Sequence, residues 1–236
     1  MRIAFLNLAK NEDWGGGEKW TLVSACGLAE REHHVVVIGV EGSLIVKRAK
    51  NSGLEAFSIR VGIDYSPRGI FNVLRILKKS NIEILVVHHH KDVRIGGVSA
   101  KILGVPVVHR NGFPIISDNI RHRFTHRFVD RILTNSKRIA DRYQTIDWIN
   151  ESEIDIVPNG IRIPDSTQKN NSLRKLWTDK NCLIAAYAGR LTSVKRPDDL
   201  LTAFSLLKPD SRWKLVIIGD GHLYEHLRNR INLDGL

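Results

Sequence analysis

Short apolar runs alternate with stretches of helical periodicity along the chain. The runs are rich in Val, Ile and Leu, and they predict buried strands over 3–6, 35–40, 82–87, 105–108, 132–134 and 154–157. Between them, apolar residues recur three and four apart, as in Ile70, Val73 and Leu77, which predicts helices; another is predicted over 94–103. Strands this continuously apolar are buried on both faces, as in a parallel sheet covered by helices. The pattern therefore predicts a doubly wound α/β domain.

A second, shorter series of the same kind follows a turn signal. Pro158-Asn159-Gly160 and the polar stretch 165–171 mark a boundary, which divides the chain into domains 1–160 and 161–236. Beyond it we predict a strand over 183–188, a helix that opens at Pro197, a strand over 215–218 and a last helix. Two strands and two helices are too few to bury both faces of a sheet. We therefore expect the second domain to be incomplete and the chain to be a fragment of something longer.

Composition and charge narrow the class of protein. The 236 residues are 42% hydrophobic and carry a net charge of +11, and no run approaches the roughly 18 apolar residues of a spanning helix. The N-terminus has no long apolar signal-peptide core, and Cys26 and Cys182 are isolated, so we expect a cytoplasmic protein. Nucleic acid is disfavoured as a partner because aromatic and basic residues do not alternate and no finger or RNP-type motif occurs.

A basic segment could bring the protein to an anionic membrane surface or an acidic acceptor. Seven cations lie within 121–142 against only Asp130 and Asp141. A solvated helix face is the alternative explanation for each of them taken singly. The seven are Arg121, Arg123, Arg127, Arg131, Lys137, Arg138 and Arg142.

Two glycine-containing turns are candidate anion sites. Gly15, Gly16 and Gly17 follow the first strand and precede a helix, where bare N–H groups favour an anion. In 189–196, a glycine ends a strand, and Arg190 and Lys195 come just before the helix at Pro197. A flexible loop and an ordinary strand–helix loop with solvated cations are the respective alternatives.

Histidines follow two neighbouring predicted strands. His88 and His90 come after the strand over 82–87, and on an extended chain they would share a face that His89 does not. His109, with Arg110 and Asn111, comes after the next strand. No Cys or carboxylate set with ligand spacing accompanies these histidines, so a metal site is disfavoured and contact with a hydroxyl or phosphate is favoured. We expect His33, His34, His122 and His126 to be surface residues.

Six motifs in order resemble the retaining glycosyltransferases of family 4. They are GGGEKW (family pattern GG-x-E), VPVVHRNGFP, TNSKRIADRY, VPNGI, GRLTSVKR and VIIGDG, and they run from the first strand to the last helix. The resemblance implies a GT-B architecture: a complete N-terminal Rossmann-like domain on the acceptor side, and a second Rossmann-like domain that binds the donor and is incomplete here. It implies no cofactor and no metal.

The resemblance also implies residue roles. Gly15 and Gly16, with Gly17 beside them, would lie against the donor diphosphate or sugar, while Arg190 and Lys195 would clamp the diphosphate. His109 would be the catalytic-site residue near the reacting sugar and acceptor hydroxyl; His88, His90, Arg110 and Asn111 are possible acceptor-side residues. The family's later E-x7-E motif is not reached, so we expect little transferase activity from this chain alone.

Two functions of different classes follow. One is transfer of a sugar from a nucleotide-sugar, with retention, to a glycan or lipid-linked acceptor in cell-envelope or exopolysaccharide synthesis, at the cytoplasmic membrane face. The other is a noncatalytic basic module that binds nucleotide or anionic lipid. A nicotinamide-dependent dehydrogenase is disfavoured because no G-x-G-x-x-G with a following acidic residue is present.

Overall fold

The chain divides into two compact units, Met1–Arg162 and Ile163–Leu236. The structure is a computed structural model that describes residues 1–9, 14–62, 64–113, 118–161, 163, 181–207 and 212–234.

A parallel sheet forms the centre of the first unit. Among the described residues it has seven strands in the order β3-β2-β1-β4-β5-β6-β7, and every neighbouring pair is parallel. The order reverses between β1 and β4, the kind of point where open α/β sheets bind ligands. The strands are β1 (Arg2–Asn7), β2 (His34–Val40), β3 (Glu55–Ile59), β4 (Ile84–Val87), β5 (Val107–Asn111), β6 (Arg131–Thr134) and β7 (Ile154–Ile156).

Helices connect these strands. They are α1 (Gly16–Ala29), α2 (Leu44–Asn51), α3 (Pro67–Lys79), α4 (His90–Asp92), α5 (Val98–Leu103), α6 (Ile120–His126) and α7 (Lys137–Gln144), with a π-helical stretch over Val93–Gly97 and a 3-10 turn at Glu151–Glu153.

Strand β1 shows why the sheet is covered on both faces. Ala4 and Leu6 belong to a core cluster that includes residues of α3 and α5, whereas Ile3 and Phe5 belong to a cluster that includes residues of α1 and α2. Alternate side chains of a strand point to opposite faces, so an all-apolar strand needs helices on each side. The predicted doubly wound α/β architecture is confirmed.

The structure differs from the sequence prediction at four elements. Helix α2 and strand β3 were not predicted. The helix expected over 94–103 begins at His90, where the N–H groups of His88 and His89 are bound by Asp92. Strand β5 begins after Pro106 and continues to Asn111, so its last three residues are the polar ones that we expected to follow it.

The second unit is a small parallel α/β arrangement in its described part. Strands β8 (Leu183–Ala188) and β9 (Trp213–Ile218) pair in parallel, and helices α8 (Pro197–Ser205) and α9 (Tyr224–Asp234) pack on them, with a 3-10 turn at Ser193–Lys195. Leu191, Leu201 and Leu227 are its buried apolar centre. None of the helices in the described ranges is long and apolar enough to cross a bilayer.

Candidate functional site

The glycine turn opens helix α1. Gly15 is the N-cap, with extended backbone, and the helix begins at Gly16. The Lys19 N–H donates to the Gly15 carbonyl (3.1 Å), so the N–H groups of Gly16 and Gly17 precede the first hydrogen-bonded turn. Such groups, aligned with the helix dipole, attract anions. The turn therefore has the backbone geometry of an anion-binding helix start.

Glu18 fixes this turn to the sheet. Its carboxylate accepts hydrogen bonds from the Gly15 N–H (2.8 Å) and the Asn7 side-chain amide (3.4 Å), and lies 3.5 Å from His89 Nε2. The hydrogen bond from His89, helped by the backbone N–H donors, lowers the pKa of Glu18 to about 2. The carboxylate is thus ionised at neutral pH. The sequence interpretation gave Glu18 no role, although its position three residues after the N-cap is a capping-box signal.

Gly16 and Gly17 differ in the space around them. A Cβ at position 16 would meet no atom within 4 Å, whereas at position 17 it would lie 2.1 Å from His88 Nε2. The His88 ring is buried, stacks on Trp20 with ring centroids 6.4 Å apart, and neither ring nitrogen has a hydrogen-bond partner among the described residues. Position 17 therefore needs glycine for packing, and position 16 does not.

Asp92 joins the ends of β1 and β4. Its side chain is completely buried, and its carboxylate accepts from the backbone N–H groups of Leu8 (3.0 Å), His88 (3.2 Å) and His89 (2.8 Å). Burial raises the pKa of Asp92, although these hydrogen bonds act to lower it. The carboxylate thus sets the positions of two strand ends and caps the helical segment that follows.

His109 lies in strand β5 with its ring held by a main-chain group. Burial lowers its pKa to about 3, so the ring is neutral at neutral pH. Its Nε2 is 3.3 Å from the His88 carbonyl oxygen. A carbonyl only accepts, so Nε2 carries the proton and Nδ1 keeps a lone pair. His109 can therefore accept a hydrogen bond from a hydroxyl through Nδ1.

His90 contacts two other histidines. Its ring lies 5.5 Å from that of His109 and 4.2 Å from that of His122, measured between centroids. The expectation that His88 and His90 share a face of an extended chain is wrong, because a helix begins at His90. His122 is partly exposed, as expected of a surface residue, but α6 also packs its ring against His90. No pattern in the sequence links positions 90 and 122.

Arg110 and Asn111 brace the end of β5. The buried Arg110 guanidinium lies 4.9 Å above the Trp20 ring and donates to Asn159 Oδ1 (3.0 Å). Asn111 donates to the Tyr143 hydroxyl (2.6 Å) and accepts from the Phe113 N–H (2.9 Å). Both polar atoms of the Asn111 amide are therefore used within the unit.

Two loops of the second unit meet backbone to backbone. The Gly189 N–H donates to the Ile218 carbonyl (3.0 Å), and the Leu191 N–H donates to the Asp220 carbonyl (2.8 Å). A Cβ at position 219 would lie 1.9 Å from the Gly189 carbonyl oxygen. Glycine at 219 thus allows the close approach that holds the loop after β8.

The predicted cations stand on that loop. Arg190 and Lys195 are exposed and have no ion pair within the described part of the chain, while Arg196 caps α8 in a left-handed conformation (φ 50°) and pairs with Asp199 (2.5 Å). Asp198, also in the first turn, is engaged by His226 and Arg230. Arg190 and Lys195 are therefore left to attract an anion before the helix.

The described residues form no candidate metal site, because no three His, Cys, Asp or Glu side chains among them converge as a ligand set.

Several solved structures have the same fold. Anabaena HepE, determined with UDP and glucose, aligns at a TM-score of 0.78 with 16% identity, covering 100% of this chain and 67% of its own. A Rickettsia africae glycosyltransferase aligns at a TM-score of 0.80 with 18% identity, covering 99% of this chain and 64% of its own. The lipopolysaccharide outer core galactosyltransferase WaaB aligns at a TM-score of 0.69 with 17% identity, covering 100% of this chain and 65% of its own. The chain thus spans about two thirds of the length of these proteins.

Family models cover most of the chain. A comparison with curated protein sequences gave no match. The model described as "Glycosyl transferases group 1" matches residues 168–236. The model "Glycosyltransferase Family 4" matches residues 14–163, which include the glycine turn, the histidine cluster and the end of β5. The chain belongs to glycosyltransferase family 4.

Proposed function

We propose that the reaction in which this chain takes part is transfer of a sugar from a nucleotide-sugar to a glycan or lipid-linked acceptor, with retention of configuration, in cell-envelope or exopolysaccharide synthesis, and that residues 1–236 alone turn over little substrate. Residues 1–160 handle the acceptor and residues 161–236 bind the donor. Family membership supports the reaction class.

The observation that carries the proposal is the pair of exposed cations at the loop before α8. Arg190 offers a planar fork and Lys195 a mobile point charge, and neither is neutralised by a carboxylate of the described residues. Negative charge builds on a diphosphate as the glycosidic bond breaks, and cations beside a helix N-terminus stabilise it. We assign the diphosphate to this loop.

The acceptor side is assigned to the ends of β1, β4 and β5. The N–H groups at Gly16 and Gly17 are assigned to a phosphate or sugar group of the substrate. His109 accepts a hydrogen bond from a sugar hydroxyl through Nδ1, and His90 lies beside it. Because His88 packs under the glycine turn and the Asn111 amide is held by Tyr143 and Phe113, we assign these two residues a supporting role in the site.

Calorimetry with UDP and with GDP tests the donor assignment. UDP comes first because the Anabaena structures hold UDP or UDP-glucose. We expect Arg190→Ala and Lys195→Ala each to weaken binding about tenfold, as loss of a charge-assisted contact does. The matched control is Arg228→Ala, an exposed cation of α9. If UDP binds equally tightly to all three variants, Arg190 and Lys195 do not clamp the diphosphate.

Assays of nucleotide-sugar turnover and of vesicle binding on the same variants separate the enzyme from a noncatalytic module. An enzyme that uses a nucleotide-sugar binds the nucleotide through the clamp. It transfers the sugar slowly when an acceptor is supplied and hydrolyses the nucleotide-sugar slowly when the acceptor is absent. A module that binds anionic lipid retains vesicle binding after both clamp substitutions and turns over no nucleotide-sugar.

We also assign contact with an anionic membrane surface to helix α6 and the residues that follow it. Arg123 and Arg127 have no ion pair among the residues described, and Ile120 and Phe124 are 87% and 50% exposed. By contrast, Arg131 is paired with Asp155. Cations around exposed apolar side chains suit an anionic bilayer. Sedimentation with anionic but not neutral vesicles supports this contact, and equal recovery with both contradicts it.

A further inference from the structure

A groove lies between strand β3 and helix α3, away from the candidate active site. Its volume is about 400 Å³. One wall is the stretch 57–60 of β3 and its end, and the other is a stripe of α3 that includes Arg68, Arg75 and Lys79. These helix positions are seven and four residues apart, so they share one face.

The groove follows the open backbone edge of β3. Successive side chains of a strand point to opposite faces, so a groove lined by the consecutive residues 57–60 is consistent with one that runs along the strand's edge. Strand β3 is the terminal strand of the sheet. The Ile59 carbonyl accepts from the Glu41 N–H on the β2 side (3.0 Å), so by alternation Ala56 and Ser58 turn their N–H and C=O groups outward.

The helix wall is positively charged. Arg75 and Lys79 have no ion pair with any described residue, and the groove's carboxylate, Glu41, is held by Arg60 with an N–O distance of 2.5 Å. From Arg68 to Lys79 the cations span roughly 16 Å along the helix, the length of about five extended residues. Cations along an edge repel basic strands, disfavour neutral strands because these would bury the charges unpaired, and admit acidic strands.

We propose that this groove binds an acidic, extended segment of a partner protein, which adds to the sheet as a strand beside β3. Main-chain hydrogen bonds to Ala56 and Ser58 hold its backbone, and carboxylates on its helix-facing side pair with Arg75 and Lys79. A flat bilayer is a poorer occupant, because these cations line a recess. The site is separate from the proposed sugar transfer, so neither proposal depends on the other.

The test uses the full chain and a seven-residue peptide that alternates valine and glutamate. We expect binding to shift the backbone amide signals of Ala56 and Ser58 and slow their hydrogen exchange. Arg75→Gln/Lys79→Gln weakens binding at least tenfold, whereas the matched pair Lys50→Gln/Lys101→Gln, exposed cations on α2 and α5, changes it less than twofold. Raised salt weakens binding to the parent chain.

Control ligands separate strand addition from charge attraction. A lysine-for-glutamate peptide should not bind, and neither should a glutamate peptide N-methylated on the side that faces β3. Equal binding of the N-methylated peptide, binding of trigalacturonic acid or anionic vesicles in place of the peptide, or binding unchanged by the double substitution overturns the proposal. Absence of peptide binding also overturns the proposal, and the cations would then serve to prevent strand addition at the edge of β3.

Discussion

Two adjacent glycines of helix α1 offer a test of which one serves packing and which one serves ligand binding. We consider Gly16→Ala, Gly17→Ala and Gly17→Ala in a His88→Ala background. Both glycines lie in the first turn of the helix with negative φ, so alanine costs no backbone strain at either. In a helix interior, alanine is favoured over glycine by about 1 kcal/mol.

Space decides the outcome at position 17. The new methyl group would lie 2.1 Å from His88 Nε2, and the His88 ring cannot easily move because it is buried and stacked on Trp20. Overpacking of this kind costs about 1–3 kcal/mol, which leaves a net loss of up to about 2 kcal/mol once the propensity gain is subtracted. We expect Gly17→Ala to lower the midpoint of thermal unfolding by up to roughly 8 °C, at about 2–4 °C per kcal/mol for a unit of this size.

Gly16→Ala is the matched substitution without a clash. Nothing lies within 4 Å of the added methyl group, so we expect the midpoint to stay or rise slightly. If a ligand approaches the bare N–H groups here, the same methyl group obstructs it. Gly16→Ala is therefore expected to weaken nucleotide-sugar binding about tenfold or more while leaving stability intact.

A double-mutant cycle refutes or supports the packing argument. In the His88→Ala background the obstacle is gone, so Gly17→Ala should become neutral or stabilising, a coupling of about 1–3 kcal/mol. Differential scanning calorimetry on the four proteins measures it. If Gly17→Ala destabilises both backgrounds equally, His88 is not what excludes a side chain. If Gly16→Ala binds donor as the parent does, that glycine has no ligand role.

Two further predictions concern the buried polar groups. Asp92→Ala leaves three backbone N–H groups without their acceptor. It should lower the free energy of unfolding, measured by urea titration, by about 2–4 kcal/mol, and Asp92→Asn should lower it by less. His88 and His109 have pKa values lowered to about 3, while unfolded imidazoles titrate near 6.5. The unfolded chain thus binds more protons below pH 6.5, and stability should fall between pH 7.5 and 5.5 by roughly 1 kcal/mol per buried histidine. His109→Gln should reduce that fall and the exposed His222→Gln should not; equal slopes contradict the reasoning.

The strands of the sheet were predictable because burial on both faces leaves a plain signal. Runs such as 35–40 are apolar at every position, and the structure places them between two helical layers. Strand β3 (Glu55–Ile59) escaped prediction because it is an edge strand. Its polar and apolar residues mix without the continuous character of the central strands.

The ends of the strands were harder to predict than their centres. His90 opens a helix because the Asp92 carboxylate binds the N–H groups just before it, a contact that local periodicity does not encode. The pairing of His90 with His122 depends on how α6 packs, and the two residues are far apart in sequence. The glycine and cation motifs could be found because each combines a strand end with a helix start.

The two candidate sites differ in charge for a physical reason. Around His109, burial keeps histidines neutral, so the ring offers a lone pair to a hydroxyl and carries no charge at neutral pH. On the loop before α8, Arg190 and Lys195 stay in water, where a cation needs no buried partner. A diphosphate gains most from permanent cations, whereas a neutral hydroxyl acceptor gains most from an uncharged base. Exchanging these settings would desolvate the cations and protonate the histidines, so we expect neither group to replace the other.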